Sequence, residues 1–160
     1  KFSKTCFDEN LKFIKIDNTD LKIIKEISKN SRISYVNLGK KIGLSYWAIS
    51  LRFKKLIENN VIAGFKPRLN FQKFGFSYFL LFIEVSNKKQ ETKIINFYSN
   101  HFAVNYINEV YGKYSIQIEL VIKEEQVDEI LNELRENFAD KFQSYELLKV
   151  QKEFILNVIK

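Results

Sequence analysis

Between Asp17 and Asn59 the apolar residues recur at helical spacing in three runs, and the gaps between the runs leave room only for tight turns. Leu21, Ile24 and Ile27, with Ile23, mark a first helix behind three capping residues, Asp17, Asn18 and Thr19, and Asn30-Ser31 ends it. Ser34 caps a second helix over Tyr35–Ile42, which predicts Val36, Leu38 and Ile42 pointing inward. Gly43 supplies the left-handed conformation that stops a helix at no steric cost. Leu44 packs, Ser45 caps again, and a third helix runs to about Asn59 with Ala48, Ile49, Phe53 and Leu56 as its core stripe. Tyr46, Trp47, Ser50, Leu51, Lys54 and Lys55 fall largely off that stripe. Val61, Ile62 and Phe65 continue as a β-prone tail that Pro67 stiffens. This pattern predicts a helix-turn-helix with a wing-like extension, whose third helix has the dimensions the major groove of B-DNA admits.

The charge is distributed to match. The chain is 160 residues long with a net charge of +7. Residues 1–75 hold 16 basic and 6 acidic side chains, whereas residues 76–160 hold 10 and 13. A basic half joined to a mildly acidic half points to a polyanion-binding module on a second module with another task. A single cysteine, Cys6, excludes an internal disulfide and a multi-cysteine metal site, and only one histidine, His101, is there to partner a catalytic thiol. No metal and no cofactor are expected. No apolar run approaches the ~18–20 residues of a membrane helix. The lone cysteine leads us to expect a reducing, cytoplasmic setting, and no membrane partner is expected. The chain has no methionine, and Leu11 to Ile16 alternate like a short strand ahead of the first helix. Both features lead to the expectation that this is a piece of a longer protein.

The second half alternates strand and helix. Phe76–Val85 is apolar on both faces. Residues 91–100 are helical, with Ile94, Ile95, Phe97 and Tyr98 on the buried side. Residues 103–110 and 114–122 form two strands around a turn at Gly112, and Tyr114, Ile116, Ile118, Leu120 and Ile122 share one face of the latter. Residues 124–138 carry Val127, Ile130, Leu131, Leu134 and Phe138 at i, i+3, i+4, i+7 and i+11 of a helix, and a last strand spans about 145–156. The order βαββαβ is the split, ferredoxin-like arrangement. The fold class is thus α+β: a lead-in at 1–16, a winged helix-turn-helix at 17–68 and a ferredoxin-like domain at 69–160. With both helices on one side, the other side of the sheet is bare, and the second apolar face of 76–85 predicts a dimer or larger, formed sheet against sheet.

Several short motifs in this order resemble the Lrp/AsnC family of transcription regulators: Asp17-x-x-Asp20, Ser31-Arg32-Ile33-Ser34, Gly43-Leu44-Ser45, Arg52-Phe53-Lys54-Lys55-Leu56, Val61-Ile62-Ala63-Gly64-Phe65 and Phe74-Gly75-Phe76. The resemblance covers nearly all the chain after Ile16. It implies a sequence-specific regulator of double-stranded DNA that acts as an oligomer, with a C-terminal domain that pairs through its sheets and binds small effectors, often amino acids, between subunits. The effector loop it implies is Gly112, Tyr114 and Ser115, but Ser115 stands where an acidic residue is common, so no carboxylate is available there to meet an amino group. Leu51, Tyr46 and Trp47 also depart from the polar or smaller residues usual on the third helix. Arg135-x-x-Phe138 and Ser144-Tyr145-Glu146 look like the longer members that carry this two-part unit twice in tandem.

The candidate DNA-binding residues are Ser45, Tyr46, Trp47, Ser50, Arg52, Lys54 and Lys55. The first four stand at the start of the third helix, the part that reaches base edges; capping (Ser45) and packing (Trp47) are the structural alternatives. Lys54 and Lys55 suit phosphate contacts. For Arg52 two readings stay open, a phosphate contact or a brace between helices. Lys40, Lys41, Lys66 and Arg68 either flank the groove or are solvated surface charges. His101 reads as a helix-terminal residue, and Glu124, Glu125, Asp128 and Glu129 suit the positive end of a helix dipole. Two other functions compete. One is a non-DNA role as the assembling or sensing half of a tandem protein, motivated by the apolar trio Tyr46, Trp47 and Leu51. The other is an enzyme similar to the sirohaem decarboxylases of this architecture, which the single histidine disfavours.

Overall fold

Asp17 opens the first helix with a capping box. Its carboxylate accepts from the backbone N–H groups of Thr19 and Asp20, each at 2.8 Å, and the Asp20 carboxylate accepts from the Asp17 N–H at 3.3 Å. Helix α1 (Asn18–Lys29) follows, then α2 (Tyr35–Ile42) and α3 (Tyr46–Glu58). Ser34 and Ser45 start α2 and α3 by accepting from the Asn37 and Ala48 N–H groups, both at 3.2 Å. The computed structural model describes residues 13–67 and 69–152, and the chain divides between residues 67 and 68 into two compact units.

The helical unit is built around Ile23, Ile27, Leu38, Ile49 and Leu56, with Tyr35, Leu44, Phe53, Val61 and Ile62 packed against them. Two expected inward residues face out instead: Leu21 and Val36 are about half exposed. The inward stripe of α1 is Asp20, Ile23 and Ile27, with Asp20 in the place expected for Leu21 because its carboxylate is neutralised by Arg52 of α3. On α2 the Tyr35 ring takes the place expected for Val36. The β-prone tail is not a strand. Val61 and Ile62 donate their N–H groups to the Leu56 carbonyl, at 2.9 and 3.1 Å, and so close the end of α3 rather than pair with another strand. Residues 13–16 likewise lie outside any strand, with Phe13 in solvent; Leu11 and Lys12 of the expected lead-in fall outside the described residues.

The second unit is a four-stranded antiparallel sheet in the order β2-β3-β1-β4. Its elements are β1 (Ser77–Glu84), α4 (Lys88–Tyr98), β2 (Val104–Glu109), β3 (Ile116–Ile122), α5 (Val127–Phe138) and β4 (Ser144–Lys149). Helix α4 starts three residues earlier than expected, since Asn87 caps the N–H of Gln90 and a Lys-Lys-Gln first turn shows no apolar periodicity. A 3₁₀ turn, Glu124–Gln126, precedes α5. Strand β4 ends at Lys149, short of the expected 156; residues 153–156 fall outside the described residues. One face of the central strands is buried, with Phe79, Leu81 and Ile83 beside Ile116, Ile118, Leu120 and Ile122. Ile94 and Tyr98 of α4 and Ile130, Leu134 and Phe138 of α5 close the same core. On the opposite face of β1 lie Tyr78, Leu80, Phe82 and Glu84, all half-buried.

The turn between α2 and α3 depends on a glycine that hydrophobic periodicity does not single out. The Gly39 carbonyl accepts from both Gly43 N–H (2.8 Å) and Leu44 N–H (2.9 Å), and Gly43 turns at φ 82°. A Cβ on Gly39 would sit 2.5 Å from the Leu44 carbonyl oxygen. Gly39→Ala adds helix propensity worth ~1 kcal/mol. The overlap reverses that gain, and we expect a net loss of about 1–3 kcal/mol, read as a lowered unfolding midpoint of the helical unit by circular dichroism.

Candidate nucleic-acid interface

Helix α3 presents two surfaces. Ile49 and Leu56 are buried, with Phe53 packed beside them. Trp47 (79% exposed), Leu51 (72%) and Tyr46 (48%) stand outside, followed within two turns by the exposed Lys54 and Lys55. Residues 47, 51, 54 and 55 share one side because i, i+4, i+7 and i+8 do so on a helix. Ser50 is half-buried beside this surface, and the Ser45 hydroxyl is engaged as the cap of α3. The first turn of α3 contains no acidic residue. Lys54 pairs with the exposed Glu58 one turn on, at 3.6 Å, an ion pair of little weight in water.

The aromatic side chains here are ordered by one another. Trp47 meets Tyr46 edge to face at 6.0 Å between ring centroids, and Tyr46 packs on Tyr35 at 5.8 Å. Tyr35 meets Phe53 at 5.2 Å, and Phe53 stacks on Phe65 at 6.3 Å. A ladder of five rings thus joins the exposed start of α3 to the exit of the unit. Apolar periodicity misses it, since ring contacts between α2, α3 and the segment after them leave no repeat in the sequence.

Arg52 behaves differently from its basic neighbours. Its guanidinium donates to Asp17 at 2.6 Å and to Asp20 at 2.8 Å, which ties α3 to the first turn of α1. Of its two open readings, the brace is the one this geometry builds. The backbone N–H of Asp20 and then the Arg52 guanidinium hold the Asp17 carboxyl below its usual range. That contribution to stability is complete above the ordinary carboxylate range and fades as the pH falls. Glu26 plays a similar part between α1 and α2: hydrogen bonds from Lys29 and Lys41 lower its pKa to about 2.

In the sheet unit the loop after β2 brings Gly112, Tyr114 and Ser115 together. The Ser115 N–H donates to the Ile83 carbonyl at 3.0 Å, and the Tyr114 hydroxyl donates to Glu146 at 2.8 Å. The Ser115 hydroxyl is buried and has no hydrogen-bond partner among the described residues. His101 ends the turn after α4 and lies 3.2 Å from Glu133. No group of three metal-ligating side chains gathers among the described residues, and none of their helices is long and apolar enough to cross a membrane.

Residues 16–63 match the family model described as winged helix-turn-helix DNA-binding. The HTH-type transcriptional regulator LrpA of Bacillus subtilis is 33% identical over 125 residues, spanning 76% of this chain and 91% of that protein. The structure of Escherichia coli AsnC superposes with a TM-score of 0.76 at 24% identity, covering 91% of this chain and 99% of that one. The transcriptional regulator NMB0573 of Neisseria meningitidis, in its L-Met complex, superposes with a TM-score of 0.77 at 15% identity, covering 90% and 95%. These two likenesses concern the fold.

The brace on Arg52 can be separated from a DNA contact by stability alone. Arg52→Leu leaves the buried Asp20 carboxylate without its countercharge and is expected to cost about 1–3 kcal/mol. Adding Asp20→Leu should recover part of that loss, because an apolar pair carries no desolvation penalty. Urea unfolding of the two variants measures both effects.

Proposed function

Because the chain belongs to the Lrp/AsnC family of DNA-binding transcription regulators, we propose that it lays the start of α3 in the major groove of duplex DNA, with Tyr46, Trp47 and Ser50 at the base edges and Lys54 and Lys55 on phosphates. The observation that supports this most directly is the composition of the outward side of α3. It is exposed, it has no acid in its first turn, and its two lysines follow the aromatic residues within two turns. Phosphate contacts set register and affinity, while base-edge contacts set sequence preference. Ser45 serves this surface as the helix cap. Arg52 serves it by holding α3 to α1.

The reading extends to the sheet unit. Two copies pair through the open sheet face, supported by the half-buried row Tyr78, Leu80 and Phe82 and by the exposed Leu148 opposite Leu80 on β4. A small effector meets the loop of Gly112, Tyr114 and Ser115. Ser115 stands where a carboxylate would meet an amino group, so an effector that presents an ammonium there is disfavoured. The setting is cytoplasmic.

Binding of the full chain to mixed-sequence duplex DNA is expected to weaken steeply with salt, each phosphate contact adding about −0.9 to the slope of log K against log salt. Lys54→Glu with Lys55→Glu should flatten that slope by about 2 and weaken binding across all sequences, as read by fluorescence anisotropy. A flat salt response in the unmodified protein contradicts the reading. In sedimentation equilibrium at micromolar concentration the protein should be at least a dimer. Phe82→Glu, which places a charge in the half-buried row, should shift it toward monomer.

A further inference from the structure

Trp47 and Leu51 are the most exposed large apolar side chains of α3, one helical turn apart on its outward side. The core of the helical unit is complete without them. They occupy positions from which a base-reading helix contacts the groove, yet neither Leu51 nor the face of an indole offers the hydrogen bonds that most base readout uses. The major groove holds one apolar group, the C5 methyl of thymine, and apolar side chains recognise it by contact. Resting on the DNA-binding reading above, we propose that Trp47 and Leu51 are specificity-determining residues that read thymine methyl groups.

Three features support this occupant over any other. The surface around the pair is cationic, with Lys54 and Lys55 further along the same side and no acid in the first turn. Residues four apart on a helix are separated by about 6 Å along its axis, close to two base-pair steps of about 3.4 Å, so the two side chains can each meet a methyl, the two methyls lying two base pairs apart. Trp47 is also held edge-on by Tyr46, itself seated on Tyr35. The indole is therefore ordered before binding, which lowers the entropic cost of contact.

The test uses the full chain and two alternating duplexes, poly(dA-dT) and poly(dA-dU), which differ only in the thymine methyl. Competition anisotropy should show the thymine duplex bound about fourfold more tightly for each methyl buried. Poly(dI-dC) and its 5-methylcytosine form place a methyl at the same groove position on another base and should show the same preference. Trp47→Ala and Leu51→Ala should each reduce the ratio toward one while the salt slope stays unchanged; both side chains are exposed, so neither variant disturbs the core. Equal affinity of the unmodified protein for both duplexes, with a steep salt slope, overturns the methyl readout and leaves DNA binding standing. Absence of salt-dependent binding to any duplex removes the DNA reading and the inference with it. A third outcome also overturns the proposal: Trp47→Ala lowers the sedimentation-derived oligomeric state without changing the methyl preference, which assigns the patch to a protein contact.

Discussion

The helical unit depends on one close approach, the passage of the α2–α3 turn over Gly39. Two successive N–H groups, of Gly43 and Leu44, converge on the Gly39 carbonyl, and the Leu44 carbonyl lies where a Cβ on residue 39 would stand. A side chain at 39 would push the turn away, and α3 would leave at a different angle. Everything that makes the outward side of α3 useful follows from that angle. Ile49 and Leu56 enter the core, and Trp47, Leu51, Lys54 and Lys55 are left in solvent.

The basic residues of this unit do two kinds of work. Arg52 and Lys41 are bound by carboxylates of α1: Arg52 by Asp17 and Asp20, and Lys41 by Glu26. These cations stabilise the arrangement of helices. Among the described residues Lys54 and Lys55 have no such tie to another helix, and both are exposed. The basic side chains of this unit are therefore not equivalent: Arg52 and Lys41 hold helices together, whereas Lys54 and Lys55 lie exposed on the outward side of α3. The aromatic ladder from Trp47 to Phe65 runs from that surface through Tyr35 and Phe53 at the core, and so ties the exposed start of α3 to the packed interior.

In the sheet unit the same logic of two faces applies. Alternation along β1 sends Phe79, Leu81 and Ile83 under the helices and Tyr78, Leu80 and Phe82 to the other side. The second row is flanked by Gln117, Glu119 and Glu146 of the neighbouring strands. The open face is thus an apolar stripe with a polar border, a composition suited to an interface with a wet rim.

Much of this architecture is legible in the chain itself. Caps at Asp17, Ser34 and Ser45, the stop at Gly43, the period-two run of β3 and the period of α5 depend on local backbone chemistry, which acts over a few residues and leaves its mark in their spacing. What local spacing could not supply is where two equally spaced residues differ in their partners. Leu21 and Asp20 both fit an inward turn of α1, and only Arg52, thirty-two residues further on, decides for the aspartate. Val36 and Tyr35 compete in the same way, and the rings of Tyr46 and Phe53 decide for the tyrosine. Val61 and Ile62 look like a strand until the open end of α3 offers them a carbonyl. Local chemistry along the chain thus settles the elements, their order and the excess of positive charge in the first half. Tertiary structure alone decided which cations are engaged and which aromatic side chains reach solvent, because those outcomes depend on contacts between residues far apart in the chain.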